Sequence, residues 1–458
     1  MFGTIALWGC FGFIIWLMRA DRGFRAYSSP ALLVPGFWLA MIGSRPVDFW
    51  LGIDTGTSNL EGNPVNLIGY LLPMAAALVI LQQRGFSWGT FIWRNRAIVL
   101  LYLFYLISAA WSPFPLASIK RLIKDSGCVL MALVVLTEEN PFEATRLLFM
   151  RVAYVLLPLS VVFIKYFPAI GRSASRAHDT MNNGVAYHKN SLGALLFIFG
   201  LIMIWEWFEL RRQKPSLQRT IHRRVLMGMA LISAWLLSMA SCATANLCLI
   251  LEGILFWLCG RLVKMRRGRR VLIYGLIGLV CMAALDQSLG VSNMVVAALG
   301  RNTTLSGRTN IWRVVRERSG NPIIGMGFYS FWDTSRASNA IEEINSQFIK
   351  TAHNGYLDAY LDGGFIAVAL LAAVILVAGK RTLDKLFEGD LYGRVAFIVW
   401  FLAVLYNNSE SDYFRLGPLW MTFLLFSMSY PSRYVAPKPE LVEESEEPVI
   451  DAIGTAST

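Results

Sequence analysis

Charge is scarce in this chain. Only 16% of its 458 residues are Asp, Glu, Lys or Arg, whereas a soluble globular domain carries about 25%. Together with 55% hydrophobic residues, that shortage excludes an ordinary soluble domain and points to an all-α polytopic membrane protein. Cysteine pairing is missing too. Cys10, Cys128, Cys242, Cys248, Cys259 and Cys281 fall in apolar runs or at their ends, with no CxxC and no paired spacing. Neither a disulfide framework nor a metal site is supported. No DxD, HExxH or phosphate-cradling glycine loop occurs, which disfavours a nucleotide-sugar enzyme with a bound divalent metal. His178, Asp179 and His188 lack the spacing of a standard ligand set. No metal and no cofactor is expected. No internal repeat is evident, which weighs against a transporter built from two related halves.

What the chain has is apolar runs separated by basic loops. The net charge of +12 could suggest nucleic acid, but the basic residues cluster in short loops between the runs, as positive-inside bias requires. No nucleic-acid partner is expected. The first run, Met1 to Met18, ends in RADRGFR without a small-residue cleavage site, which reads as a span rather than a signal peptide. Counting onward gives about 12–13 spans, several of them shorter than the roughly 20 residues that a span needs. Residues 1–430 read as a single transmembrane domain. The glutamate- and proline-rich tail 431–458 reads as disordered and cytoplasmic. Placing loops 19–25, 82–96, 210–224, 264–270 and 380–394 in the cytoplasm makes the spans alternate throughout. Loops 45–63, 166–190, 290–362 and 407–415 then lie outside, on one face.

Loop 290–362 is the longest polar stretch between spans. It carries Arg301, Arg308, Arg313, Arg316, Arg318, Arg336 and His353. Ile311, Trp312, Val314 and Val315 recur at helical spacing until Asn321-Pro322 stops them. GMGF (325–328) reads as a glycine turn that brings backbone N–H groups to the surface. Asn354 is placed to cap a second short helix with the stripe Leu357, Tyr360 and Leu361, so His353 sits at its positive end. Asp358, one turn in, is the expected partner that orients the His353 ring. Loop 166–190 adds Arg172, Arg176, His188, Lys189 and Asn190. Fixed cations on a membrane-facing loop suit an anionic substrate with a lipid tail. Arginine forks stabilise departing phosphate charge, and a histidine can take the proton of an acceptor hydroxyl. Tyr329, Trp332, Tyr356 and Tyr360 offer aromatic surface for a glycan. Taken alone, Arg308 reads equally well as a headgroup anchor, while Arg313, Arg316 and Arg318 read as the solvated face of their helix.

LSGRTNIW (305–312), GMGF and HNGYLDAYLDGG (353–364) resemble the signature region of the O-antigen ligase and polysaccharide polymerase superfamily. WSPFPLASIKR (111–121), YFPAIGR (166–172) followed by YHKNSLG (187–193), and LLSMASCATA (236–245) fit it as well. They are most similar to the branch containing exopolysaccharide polymerases. The resemblance implies a membrane-embedded glycosyltransferase, inverting and metal-independent, in the bacterial inner (cytoplasmic) membrane with its site facing the periplasm. It implies transfer or polymerisation of a glycan from an undecaprenyl-diphosphate-linked donor to a hydroxyl of a glycan or lipid acceptor. Other polysaccharide assembly proteins are implied partners besides the bilayer. By position, Arg308 would bind the diphosphate and His353 would be catalytic. Arg172, Arg176, His188, Lys189, Asn190, Arg301 and Asn354 would line the substrate site. Ligases usually carry an arginine in the segment matching SCATA. Cys242, Ala243 and Thr244 stand there instead, shifting part of the phosphate binding toward Arg172 and Arg176. The competing reading is a flippase for lipid-linked oligosaccharides.

Overall fold

The computed structural model describes residues 2–24, 29–53, 63–174, 180–289, 308–343 and 350–431. The helices in chain order are Phe2–Phe24 (α1), Leu33–Ile42 (α2), Val47–Leu51 (α3), Pro64–Gln83 (α4), Trp88–Arg94 (α5) and Arg96–Ser108 (α6). Pro115–Leu136 (α7), Pro141–Tyr166 (α8), Pro168–Gly171 (α9), Lys189–Arg212 (α10), Leu217–Ala240 (α11), Ala243–Lys264 (α12) and Gly268–Leu289 (α13) follow. The last are Arg308–Glu317 (α14), Ser335–Glu343 (α15), Gly355–Phe387 (α16), Leu391–Tyr406 (α17) and Pro418–Ser427 (α18). Among the described residues the one sheet is a hairpin, Arg172–Ala174 (β1) antiparallel to Thr180–Asn182 (β2).

The helix starts follow from local chemistry. Pro64, Pro115, Pro141 and Pro418 open their helices where a missing N–H costs nothing. Asn63, Asn140, Ser216 and Asp390 cap theirs with a side-chain oxygen on a first-turn N–H. α4 and α18 are apolar all round, which a helix sustains only inside a protein or a bilayer. α8 and α10 are buried along most of their length, and Trp205, Phe149 and Phe199 are fully buried in the same core as Trp420 of α18. α1 and α4 leave Trp8, Ile15, Ile68 and Leu72 exposed, the side expected to face lipid.

By length and composition, seven of the described helices can cross a membrane, or eight if the α5–α6 pair counts as one broken span. That is fewer than the 12–13 expected. Each expected run does lie on a helix, but α2, α17 and α18 are short. α7 carries Lys120, Arg121, Lys124 and Asp125 in its first half. Apolar runs thus mark helices faithfully and full spans less so. The tail from 432 onward lies outside the described residues.

The second short helix of the polar loop forms as expected, capped by Asn354, and is set off by a break from the apolar helix that follows it within α16. HNGYLDAYLDGG is the start of α16, which is broken at Gly364 (φ 61°, ψ −158°), a conformation essentially restricted to glycine. Residues 322–327 insert into the break. Met326 N–H donates to Leu361 O (3.0 Å) and Gly327 N–H to Asp362 O (2.9 Å), while Phe365 N–H donates to Pro322 O (2.8 Å). Phe328 N–H reaches Ser108 Oγ at 3.0 Å. The N–H groups of GMGF are therefore spent inside the protein, correcting the expectation that they face the surface. The reason is the helix break: it leaves carbonyls without partners, and the loop supplies them. A Cβ at Gly364 would lie 2.3 Å from the carbonyl carbon of Ile323. Gly364→Ala is expected to cost about 3 kcal/mol, seen as a lowered Tm of the purified protein. An unchanged Tm would mean that the docking contributes little.

Serines complete the attachment. Ser112 Oγ, Ser118 Oγ and Ser330 Oγ lie within 2.7–2.9 Å of one another, all buried. The Tyr329 ring lies between Arg121 (5.1 Å) and Arg415 (3.7 Å). Ile311, Val314 and Val315 of α14 pack with Phe331, Trp332 and Leu361 into a small second core. Arg313 pairs with Glu317 (3.2 Å) and Arg318 with Glu343 on the outer side, in line with a solvated face. Trp332 is buried and donates to Asp358 Oδ1 (2.9 Å), and Tyr356 donates its hydroxyl to Val404 O (2.8 Å). Tyr329, Trp332 and Tyr356 are thus structural, a correction to their expected role as glycan surface.

Candidate functional site

The site is assembled around a residue that sequence reasoning passed over, Glu410. It lies in the short connection between α17 and α18, and that connection wraps the start of α16. Gly355 N–H donates to Asn407 O (2.9 Å) and Glu410 O (3.0 Å). Asn354 N–H donates to Ser411 Oγ (3.0 Å). A Cβ at Gly355 would meet Asn407 Oδ1 at 2.2 Å, so the glycine of HNGYLD permits this close approach. Asn354 Oδ1 accepts from Tyr356 N–H and Leu357 N–H, both at 3.1 Å. It is a helix cap, as its sequence position indicated.

The Glu410 side chain, from a residue only 6% exposed, gathers three partners. Arg308 Nη2 donates to Oε1 at 2.8 Å. Asn190 Nδ2 donates to the same oxygen at 2.8 Å. His353 Nδ1 lies 3.1 Å from Oε2. Burial by itself raises the Glu410 carboxyl, but His353, Arg308 and Asn190 outweigh it and hold the group below its ordinary value. An ionised carboxylate only accepts, so Nδ1 carries the hydrogen, and Nε2 is the nitrogen that holds the lone pair in the neutral ring. His353 stands at φ 48°, in the left-handed region that histidine tolerates better than most side chains.

Asp358 does not orient His353. Its Oδ1 accepts from Trp332 Nε1 and from Ala352 N–H, with Arg415 at 3.5 Å. Asp358 faces Trp332, Ala352 and Arg415, whereas Glu410 reaches His353 from a different connection. His188 belongs to the cluster's rim. Its Nδ1 accepts from Asn190 N–H at 3.2 Å, and burial lowers its pKa, with His353 and Lys189 acting the same way against Glu410. Thr244 Oγ1 lies 3.2 Å from Ser409 Oγ, so the SCATA segment also reaches this connection. Arg172 points its Nε to Ile164 O (3.0 Å), and no contact ties it to Glu410 among the described residues. Arg176 and Arg301 lie outside those residues. The cluster therefore unites Arg308, His353, Asn354, His188 and Asn190, from loops that share one end of the bundle.

A cleft of about 260 Å³ adjoins it, lined by Gly43, Ser44, Tyr70, Tyr187, Ser191 and Leu416 among others. Ser191 follows Asn190, and Leu416 follows Arg415. Tyr187 is 75% exposed, an aromatic surface beside His188 that the sequence reading did not single out.

Residues 229–372 match the family model described as O-antigen ligase. Over 333 residues the chain is 24% identical to the exopolysaccharide production protein ExoQ of Rhizobium meliloti (strain 1021), covering 68% of this chain and 70% of that protein. Both matches support the resemblance of this chain to the O-antigen ligase and polysaccharide polymerase superfamily. Its apolar helices are those of a multi-pass membrane protein, and the two matches support glycan ligation or polymerisation broadly. The matched region encloses Arg308 and His353 and runs past the Gly364 break. Glu410, Asn190 and His188 lie outside it and are brought in by the fold. The signal that could have found Glu410 was modest: a carboxylate in a short polar connection, NNSESDYFR, on the face already assigned to the histidine.

Proposed function

We propose that the protein transfers a glycan from an undecaprenyl-diphosphate-linked donor to a glycan or lipid hydroxyl at the periplasmic face, inverting the anomeric centre without a metal. The observation that carries this reading is the Glu410 carboxylate holding Arg308 and His353 at 2.8 and 3.1 Å. His353 Nε2 takes the acceptor proton as the acceptor oxygen attacks the anomeric carbon. The bond from that carbon to the diphosphate oxygen breaks, and the electron pair leaves with undecaprenyl diphosphate. Arg308 presents its guanidinium to that developing charge, supported by Lys189 at the start of α10. Glu410 fixes the histidine tautomer and keeps Arg308 extended. The adjoining cleft, with Tyr70 and Tyr187, suits a sugar next to the reacting centre.

The test is a transfer assay with purified protein and an undecaprenyl-diphosphate-linked repeat in the presence of a chelator. Donor consumption with an inverted product is expected. Arg308→Lys keeps the charge but loses the planar fork, so most activity should disappear. An untouched donor, or near-normal turnover by Arg308→Lys at matched expression, would overturn the reading and leave Arg308 as a headgroup anchor.

A further inference from the structure

The other end of the bundle carries a second cationic site. α6 ends at Ser108, and both α16 and α18 begin beside the Glu410 cluster. The start of α6 and the ends of α16 and α18 therefore meet at the opposite end. There α5 and α6 form an elbow of 97° at Asn95. An opening of about 310 Å³ sits in the elbow, lined by Arg94, Arg96 and Arg381 at its rim and by Ile98, Val374 and Ala378 deeper in. Among the described residues no acidic side chain lines it.

The three arginines have different tasks. Arg381 staples the elbow, donating to Asn95 Oδ1 (2.9 Å), Ser427 O (3.2 Å) and Arg94 O. Asn95 in turn pairs with the backbone of Ser429 in both directions, at 2.8 and 2.9 Å. Arg94 and Arg96 are exposed, and Arg96 lies over the Trp93 ring at 5.0 Å. Trp88, Ile92 and Trp93 of α5 are exposed as well, the pattern of a short helix lying along a membrane–water interface. Cations at the rim with an apolar wall one helical turn deeper match an amphiphile with an anionic head, and neither a soluble anion nor a neutral lipid uses both parts.

We propose that the α5–α6 elbow binds the phosphate of an anionic phospholipid from the leaflet opposite the Glu410 cluster, with an acyl chain along Ile98, Val374 and Ala378. Arg94 and Arg96 take the phosphate oxygens as charge-assisted donors. The lipid braces the elbow to α16 and α18, the two helices that begin at the candidate active site.

Native mass spectrometry of the full chain in neutral detergent tests this, titrating phosphatidylglycerol, phosphatidylcholine of the same chains, and inorganic phosphate. Phosphatidylglycerol should bind about tenfold or more tightly than phosphatidylcholine, and inorganic phosphate should not displace it. The double variant Arg94→Gln/Arg96→Gln should lose the preference. Val377 also lines the opening, and Val377→Trp, which leaves both arginines in place and fills the apolar wall, should weaken phosphatidylglycerol without touching the elbow hydrogen bonds. Equal binding of the two lipids, an undiminished preference in the double variant, unchanged binding by Val377→Trp, or displacement by inorganic phosphate would each overturn the proposal. The last outcome would make the elbow a site for a free anion.

Discussion

His353→Asn is expected to lower glycan transfer by about two to four orders of magnitude while leaving the binding of lipid-linked donor largely intact. Asparagine is the informative replacement because His353 stands at φ 48°, and asparagine also adopts left-handed backbone readily. The turn before α16 then survives, and what disappears is the imidazole. Its Nδ1 is bound to Glu410 Oε2 at 3.1 Å, so Nε2 is the nitrogen left to accept a proton. Donor binding should persist because Arg308 is held independently by the other carboxylate oxygen at 2.8 Å. Near-normal turnover by His353→Asn, at matched expression, would reduce the histidine to a structural residue of the turn. Charge stabilisation by Arg308 would then have to carry the reaction.

Glu410→Gln should be almost as damaging, with transfer reduced at least about a hundredfold, although Glu410 is a positioning residue rather than a group that touches substrate. The amide keeps the shape and can still accept from Asn190. It loses the charge that holds Arg308 and the acceptor-only character that fixes the His353 tautomer. A merely structural role would leave the pH profile of the remaining activity unchanged, whereas loss of the carboxylate should shift it. Glu410→Ala should also cost about 3 kcal/mol of stability, because it strips partners from Arg308 in a largely buried setting. The carboxylate itself adds a pH dependence. Its folded pKa lies below its ordinary value: burial raises it, and His353, Arg308 and Asn190 together lower it further. In the acid range the unfolded chain therefore binds more protons. The stabilisation is complete above the unfolded value of about 4.3 and is lost as pH falls through the lower folded value. Thermal unfolding of wild type and Glu410→Gln from pH 7 to pH 3 measures this, and parallel curves would contradict it.

Much of the molecule follows from sequence alone. Low charge and long apolar runs determine a helical membrane bundle, because a helix satisfies its own backbone in lipid within one continuous apolar run. Proline and Asn, Ser or Asp before those runs determine where helices start. The polar loop, its amphipathic α14 and the cap at Asn354 are equally local, since each depends on neighbours within about four residues. The histidine and the arginine were visible for the same reason: charged residues are rare enough here to stand out.

Tertiary structure decided the rest. GMGF reads as an exposed turn until Gly364 breaks α16 and leaves Leu361 and Asp362 carbonyls for it to satisfy. Asp358 is one turn from His353 in sequence, yet it faces Trp332, and the carboxylate that meets the histidine comes from 57 residues downstream. No local pattern announces such a pairing, because it depends on how α16, α17 and α18 pack. The same packing covers α17 and α18, apolar helices shorter than the candidate spans, with neighbouring helices along most of their length.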